Sequence, residues 1–448
     1  MARNLLFKIA GDFLAILGIV AAIWATIVLG GLYQNPVIYP LAHGAGEGAL
    51  KDFNVGCVAA LVLGWGVFTA SRFWHEGAVI RWAWIAKIAV CLGVMMVYER
   101  VYPSLDAYGY FSGAQVLAGK GFSSLPTGQG TYLIPELCAW VFQFIPVSYH
   151  AAKVICAGLG FTGVWFFYEA LARAIGHRSQ LWAGVLFFFP PVLFWGSILG
   201  KDPLMLFLLG LFTWLVFYFF FGRWYLLAAM AAFYVGIKTG VIREWAPKIY
   251  LPAFLFAGLV WGRPNWRISP GVRFLIMLSA GLMVVLGPGW WHLSRWLPLQ
   301  RDSLFYYRRV LTMGGSAEGP PFPLEDWVDF ILYVPYGMFS SLFRPLPLEV
   351  PNGFGLATGL INFALLLVVV CALLFGVARR RALPGLGFVA STCVIWAIIY
   401  GFISPANMGM GARFQLQVLP FLLMLVAMLF DGSIRRPGMD ANAEDYSI

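Results

Sequence analysis

Charge is what this chain has least of. Asp, Glu, Lys and Arg make up 11% of its 448 residues, where soluble domains carry about a quarter. So little charge excludes an ordinary soluble enzyme, and an apolar fraction of 61% excludes a disordered chain. The six cysteines, Cys57, Cys91, Cys138, Cys156, Cys371 and Cys393, are scattered and form no Cys-x-x-Cys pair, so neither a disulfide framework nor a zinc site is expected. The five histidines have no i, i+4 spacing, which removes the usual helical metal motif. There is no G-x-x-x-x-G-K-[ST] phosphate loop, no nucleophile elbow G-x-S-x-G and no Asp-x-Asp pair. ATP-driven transport, acyl-transfer hydrolysis and simple metal-anchored nucleotide-sugar chemistry therefore lack their motifs.

What the chain does have is apolar length. Mean hydropathy is +0.79, and long apolar runs in lipid must be helices, because every backbone N–H and C=O has to be satisfied internally. The fold class expected is all-α, a polytopic transmembrane protein of about twelve spans. The spans fall near 10–33, 55–71, 82–98, 150–173, 180–198, 203–221, 224–242, 249–262, 274–293, 354–377, 386–403 and 413–430. The first follows Arg3 and Lys8 and is longer than the apolar core of a signal peptide, so it reads as a retained span. The segment 131–147 is short, holds Pro135 and Glu136 near its start and ends at Pro146. It is expected to lie in the interface rather than to cross.

The net charge of +10 reads as membrane orientation rather than nucleic-acid binding. With the N-terminus inside, the inner loops carry Arg72 and Arg81, Arg173 and Arg178, Arg223, Arg263 and Arg267, and Arg379 to Arg381. The domain expectation is a transmembrane catalytic body over 1–430, extracytoplasmic loops at 99–149 and 294–353, and a cytoplasmic tail at 431–448. Few charges then fall near the middle of a span and no inverted repeat is visible, which weighs against a secondary transporter.

The residual charges gather on the outer face. Asp106 follows Pro103 and the third span; it either caps a helix over about 107–118 or acts as a general base, with Tyr108 beside it. Lys201-Asp202-Pro203 reads as the start of a helix, where Asp202 caps and Lys201 adds to an anion site. Lys238 lies one turn below the end of its span and can reach the outer site, while Arg243-Glu244 offers a planar phosphate fork beside an acid. Arg344 and Glu349 flank a proline-rich loop, and Arg413 opens the last span.

With these residues in place, the sequence resembles the GT-C superfamily of multispanning, polyprenyl-phosphate-dependent glycosyltransferases. Pro190-Pro191-x-x-x-Trp195-x-Ser197-x-x-x-Lys201-Asp202 and Arg344-Pro345-x-Pro347-x-Glu349 are similar to segments of membrane proteins from bacterial cell-surface polysaccharide clusters. The resemblance implies two membrane-parallel helices in the first large outer loop, with Asp106 at the place of the family's acidic residue. In that family the acidic loop follows the first span and here it follows the third. Either two spans are added at the N-terminus or Asp106 does not align with the family base. The implied catalytic residues are Asp106 and Asp202. The donor phosphate would be held by Lys201, Arg243, Arg344 and Arg413, and substrate by Tyr108, Lys238, Glu244 and Glu349. The implied partners are a polyprenyl-phosphate sugar donor, a glycan, lipid or protein acceptor and membrane lipid, with no nucleic acid. No cofactor is specified; a divalent cation is the one candidate. The expected location is the bacterial cytoplasmic membrane, with the site on its extracytoplasmic side. A lipid-linked polysaccharide polymerase or ligase, and a transporter or flippase for lipid-linked glycans, are the alternatives.

Overall fold

A computed structural model describes residues 48–102, 106–121, 124–260, 327–350, 353–379, 385–403 and 408–431, with four further positions between 269 and 275. Among the described residues the regular structure is helical and contains no strand. In chain order the helices are α1 (Ala49–Ala70), α2 (Gly77–Ala89), α3 (Met95–Val101), α4 (Asp106–Gly119), α5 (Leu133–Val141), α6 (Tyr149–Ile175), α7 (Gln180–Phe188) and α8 (Pro190–Trp195). They continue as α9 (Lys201–Phe221), α10 (Tyr225–Ile242), α11 (Pro247–Val260), α12 (Trp327–Phe343), α13 (Gly353–Arg379), α14 (Leu386–Ile403), α15 (Met408–Phe414) and α16 (Leu419–Asp431).

Among the described residues, six helical rods are long and apolar enough to cross a bilayer: Leu50–Phe73, Gly77–Val101, Tyr149–Ile175, Lys201–Phe221, Tyr225–Ile242 and Gly353–Gly376. A seventh is bent by 55° between Gln417 and Leu419. The expected count of twelve is therefore met only in part. Two of the expected spans, 10–33 and, but for residue 275, 274–293, lie outside the described residues, as does the tail from 432 onward. The run at 180–198 is not one rod. Phe189 is extended, with ψ of 119°, because a residue before proline is driven out of the helical region, and Pro190 then starts a new helix. The run at 249–262 is the 14-residue α11, which contains Pro252. The expected loop at 294–353 contains the apolar helix α12, with Pro335 inside it. Segment 131–147 forms the nine-residue α5. At 1.5 Å per residue such a helix reaches about 14 Å, half of the hydrocarbon thickness.

The described residues group into two compact units. The first contains the residues up to Trp165, Arg178–Leu208 and Val241–Arg243; the second contains Phe166–His177, Leu209–Gly240 and the residues from Glu244 onward. In the first, α4 and α5 pack on each other. Ala107, Tyr110, Ala114, Ile134 and Cys138 from this pair join Met95, Tyr149, Ile198 and Leu199 in one buried cluster. Gly160 and Gly163 bring α6 against the start of α9: a Cβ on Gly160 would stand 2.9 Å from the Gly196 carbonyl oxygen, and one on Gly163 would collide with the Leu206 carbonyl. Small residues at such crossings are how membrane helices gain contact without a hydrophobic driving force between them. In the second unit α14 packs against α11, α12 and α16. Its core is aromatic, with Phe388 at 6.0 Å from both Phe212 and Phe421, and Phe421 stacked at 5.7 Å on Tyr250.

Candidate functional site

In the first unit, the ends of α3 and α10 meet the starts of α4, α6 and α9. Arg243 follows the last residue of α10, and its guanidinium donates to Asp202 Oδ1 at 2.8 Å. Asp202 stands in the first turn of α9, where the helix dipole favours a carboxylate. The expected cap is thus the acceptor of a long-range ion pair, with Asp202 98% covered and Arg243 16% exposed. Lys201 Nζ donates to Thr131 Oγ1 at 2.9 Å, and the Gly130 N–H donates to the Val241 carbonyl at 2.7 Å. The segment before α5 is therefore tied both to the start of α9 and to the end of α10. Glu136 closes that segment by accepting from the Thr127 and Gly128 N–H groups, each at 2.7 Å. This brings together Lys201, Asp202 and Arg243, three of the residues singled out from sequence.

Asp106 is the first residue of α4 and is exposed. Two residues later Tyr108 stacks on Tyr149 at 5.4 Å. Burial, and then the charge of Glu99, hold the Tyr108 hydroxyl well above the usual tyrosine range, against a hydrogen bond with Tyr149 that pulls the other way. Tyr149 donates to Glu99 Oε1 at 2.7 Å, and Lys153 Nζ donates to Glu99 Oε2 at 2.9 Å and to Oε1 at 3.2 Å. The Lys153 and Glu99 side chains are 0% and 2% exposed. Lys87, also buried, donates from Nζ to the carbonyls of Val192 at 3.2 Å and Leu193 at 3.3 Å, in the middle of the six-residue α8. Between Lys87 and Glu99 the helix makes a π turn over Val90–Val94, a distortion common at functional positions.

These buried charges correct the sequence reading in part: it placed Glu99 in an outer loop, whereas Glu99 lies in α3 near the end of the rod Gly77–Val101, paired with Lys153 near the start of Tyr149–Ile175, and of these three charges only Lys87 is near the middle of a rod. The hydropathy of a 25-residue rod averages over single ionisable residues, so Lys87 and Glu99 are hidden by their apolar neighbours. The signal available in sequence was a lysine four residues into an apolar span, at Lys153, and a second at Lys87. Ionisable residues inside spans mark function by default.

The remaining candidates belong to the second unit. Arg344 Nε donates to both Glu349 oxygens, at 2.9 and 3.1 Å, and its Nη1 donates to the Tyr336 hydroxyl at 2.7 Å. Glu349 also accepts from the Leu346 N–H at 2.6 Å. The peptide between Arg344 and Pro345 is cis, and Gln415 Nε2 donates to the Arg344 carbonyl at 2.8 Å. Arg413 is half-buried in α15. Lys238 is on the exposed face of α10, with Nζ 5.4 Å from the Tyr234 ring. Glu244 is exposed. Nearby Lys248 sits 4.1 Å from the Trp245 ring; burial lowers its pKa, and Glu244 works against that shift. Among the described residues no group of three or more His, Cys, Asp and Glu side chains is placed to hold a metal ion.

Several apolar helical rods of spanning length among the described residues, one of which buries a lysine and one end of a lysine–glutamate pair, define a multi-pass helical membrane protein. No family model matches the chain, and neither a curated protein nor a solved structure matches it.

Proposed function

We propose that the protein is an integral membrane glycosyltransferase, GT-C-like in architecture. It moves a sugar from a polyprenyl-phosphate donor to a glycan, lipid or protein acceptor on the extracytoplasmic face of the bacterial cytoplasmic membrane. The observation that carries this reading is the Arg243–Asp202 pair at the start of α9, with Lys201 fixed beside it on Thr131. Asp202 orients the guanidinium, and the arginine side chain keeps some exposure. A planar fork held in place next to a second cation and a helix N-terminus is suited to a phosphate leaving group.

In this reading the acceptor hydroxyl attacks the anomeric carbon, the bond from that carbon to the phosphate oxygen breaks, and its electron pair stays on the phosphate. Arg243 and Lys201 stabilise that developing charge. Asp106 takes the hydroxyl proton, with Tyr108 two residues along α4. Asp202 is not assigned as a base, because its carboxylate already serves Arg243. Arg344 and Glu349 close on each other, so neither is assigned to substrate.

A labelled polyprenyl-phosphate sugar tests the proposal. Asp106→Asn retains a helix-capping group and loses the base, so turnover falls by about 10²–10⁴-fold with donor binding kept. Arg243→Lys keeps charge and loses the fork, so donor turnover falls as well. Wild-type protein that transfers nothing from any polyprenyl-phosphate sugar overturns the reading. Transfer of a single sugar, against transfer of a lipid-linked oligosaccharide, separates a glycosyltransferase from a polymerase or ligase.

One observation favours a second reading. Lys87, Glu99 and Lys153 are buried inside rods of spanning length, as a transporter or flippase for lipid-linked glycans would require of its substrate or proton path. Movement of a labelled lipid-linked glycan across proteoliposomes, without transfer of its sugar, selects that reading.

A further inference from the structure

One buried lysine of the first unit has no part in the proposed chemistry. Lys87 stands near the middle of the rod Gly77–Val101 and is 2% exposed. Its Nζ donates to two backbone carbonyls, of Val192 at 3.2 Å and Leu193 at 3.3 Å. The rod does not need a lysine at this place, since alanine or leucine forms a helix as well. Burying an amine is costly unless its donors are used, so the purpose of Lys87 lies with the carbonyls it meets.

Those carbonyls are among the last four of α8, which a helix leaves without partners of its own. The Gly196 N–H returns to Val192 at 3.2 Å, whereas the Ser197 N–H turns to Phe194 at 3.0 Å and passes over Leu193. The Leu193 carbonyl takes the Ser197 hydroxyl at 2.6 Å and Lys87 instead. Lys87 also lies directly against the following turn: a Cβ on Gly196 would stand 2.5 Å from Nζ, while the Gly196 carbonyl oxygen meets Gly160 of α6. Residues 196–200 are buried throughout, and Lys201 and Asp202 follow them. Ile198 and Leu199 belong to the buried cluster with Ala107 and Tyr149. A close-packed interior has little slack, so a turn of this kind carries a displacement from one end to the other.

We infer that Lys87 is a positioning residue of the candidate site. By tying α8 to α2 it sets the turn 196–200, and through that turn the place where Asp202 meets Arg243 and Lys201 meets Thr131. Its effect on sugar transfer rests on the proposed function, in which that pair holds the donor phosphate. Its effect on the Asp202–Arg243 pair does not, and is measured separately. Lys87 itself meets carbonyls and no reacting atom, so it acts on the geometry of the site and carries no proton for it.

The full-length protein in nanodiscs tests this. The coupling between Asp202→Asn and Arg243→Gln is read from melting temperatures, in the wild-type background and in Lys87→Met. Lys87→Met keeps the length of the side chain and strands no charge, and the two carbonyls keep the Gly196 N–H and the Ser197 hydroxyl. In that background the coupling is lost and the two substitutions become additive. Ser197→Ala, which leaves every charge in place, lowers the coupling in part. With a labelled polyprenyl-phosphate sugar, Lys87→Met lowers turnover about 10²-fold, as a misplacement of about 1 Å does, and the pH profile keeps its shape. An undiminished coupling in Lys87→Met overturns the inference; where that variant does not fold, an undiminished coupling in Ser197→Ala does so. A coupling near zero in wild type also overturns it. A pH profile altered by Lys87→Met makes Lys87 a proton carrier and overturns it as well. Wild type that transfers no sugar overturns the proposed function instead, and the coupling result then decides this inference alone.

Discussion

Two arginine–carboxylate pairs in this protein have nearly the same length and opposite construction. Arg344 and Glu349 are five residues apart at 2.9 Å, inside one proline-rich loop whose own Leu346 N–H shares the carboxylate. Arg243 and Asp202 are 41 residues apart at 2.8 Å, and come from the end of one spanning helix and the start of another. The first pair needs only its loop to form. The second exists only after the helices have assembled, and so does the pair between Glu99 and Lys153, 54 residues apart. A pair that forms locally fixes a turn. A pair that depends on tertiary assembly places charge where the chain alone would not put it, and this is what a site requires.

The contrast is sharpest at Lys153. Its ammonium is fully covered and its acceptor nearly so. Removing one member of a buried pair leaves the other charge uncompensated, which costs about 3–5 kcal/mol. Lys153→Met and Glu99→Gln should each lower the melting temperature strongly in detergent or nanodiscs. The double variant should recover most of the loss, because no charge is then stranded. Two single variants as stable as the double would mean that water reaches the pair, and the distinction between assembled and local pairs would fail there.

Arg243 and Asp202 come next. The arginine keeps partial access to solvent, so stranding it is less costly. A double-mutant cycle between Asp202→Asn and Arg243→Gln should give a coupling of about 1–3 kcal/mol. A coupling near zero would remove the argument that Asp202 orients the fork. Glu349→Gln is smaller in reach. It weakens hydrogen bonds from Arg344 and Leu346, about 1–2 kcal/mol in all. Hydrogen exchange should rise in 344–350 while the rest of the second unit keeps its protection.

Sequence periodicity and hydropathy made the long rods legible because each needs only its own residues. Leu50–Phe73, Tyr149–Ile175 and Gly353–Gly376 fall where the apolar runs are. The broken elements were harder. Pro190 and Pro191 were visible, yet the unbroken hydropathy through them hid the division at Phe189. Trp327–Phe343 was hidden in the opposite way, with Asp329 and Pro335 making an apolar helix look like loop. At the site, Lys201, Asp202 and Arg243 stood out because they are charges at span ends. That Asp202 answers Arg243 rather than capping α9 could not be read, since no local rule links residues in different hairpins. Lys87 and Glu99 show the limit of window averages: the residues that matter most in an apolar rod change its mean the least.

The smallest expected effect is at Lys238, and it tests the comparison from the other side. Sequence position alone makes Lys238 as good a site residue as Lys153, since both lie about one turn inside a span. The structure separates them. Lys153 is enclosed and bonded to Glu99, whereas Lys238 faces outward from α10 and meets only the Tyr234 ring among the contacts described, at 5.4 Å. An exposed cation–π contact of that kind contributes about 0.5–1 kcal/mol at most, and surface substitutions usually stay within about 0.5 kcal/mol. Lys238→Gln should therefore leave the melting temperature within a degree or two of wild type, by about the same free-energy estimate, and leave turnover of a polyprenyl-phosphate sugar unchanged. Tyr234→Leu should be equally silent. If Lys238→Gln instead removes donor turnover while stability is kept, the outward face of α10 binds substrate, and enclosure by tertiary pairing is not the property that marks the site.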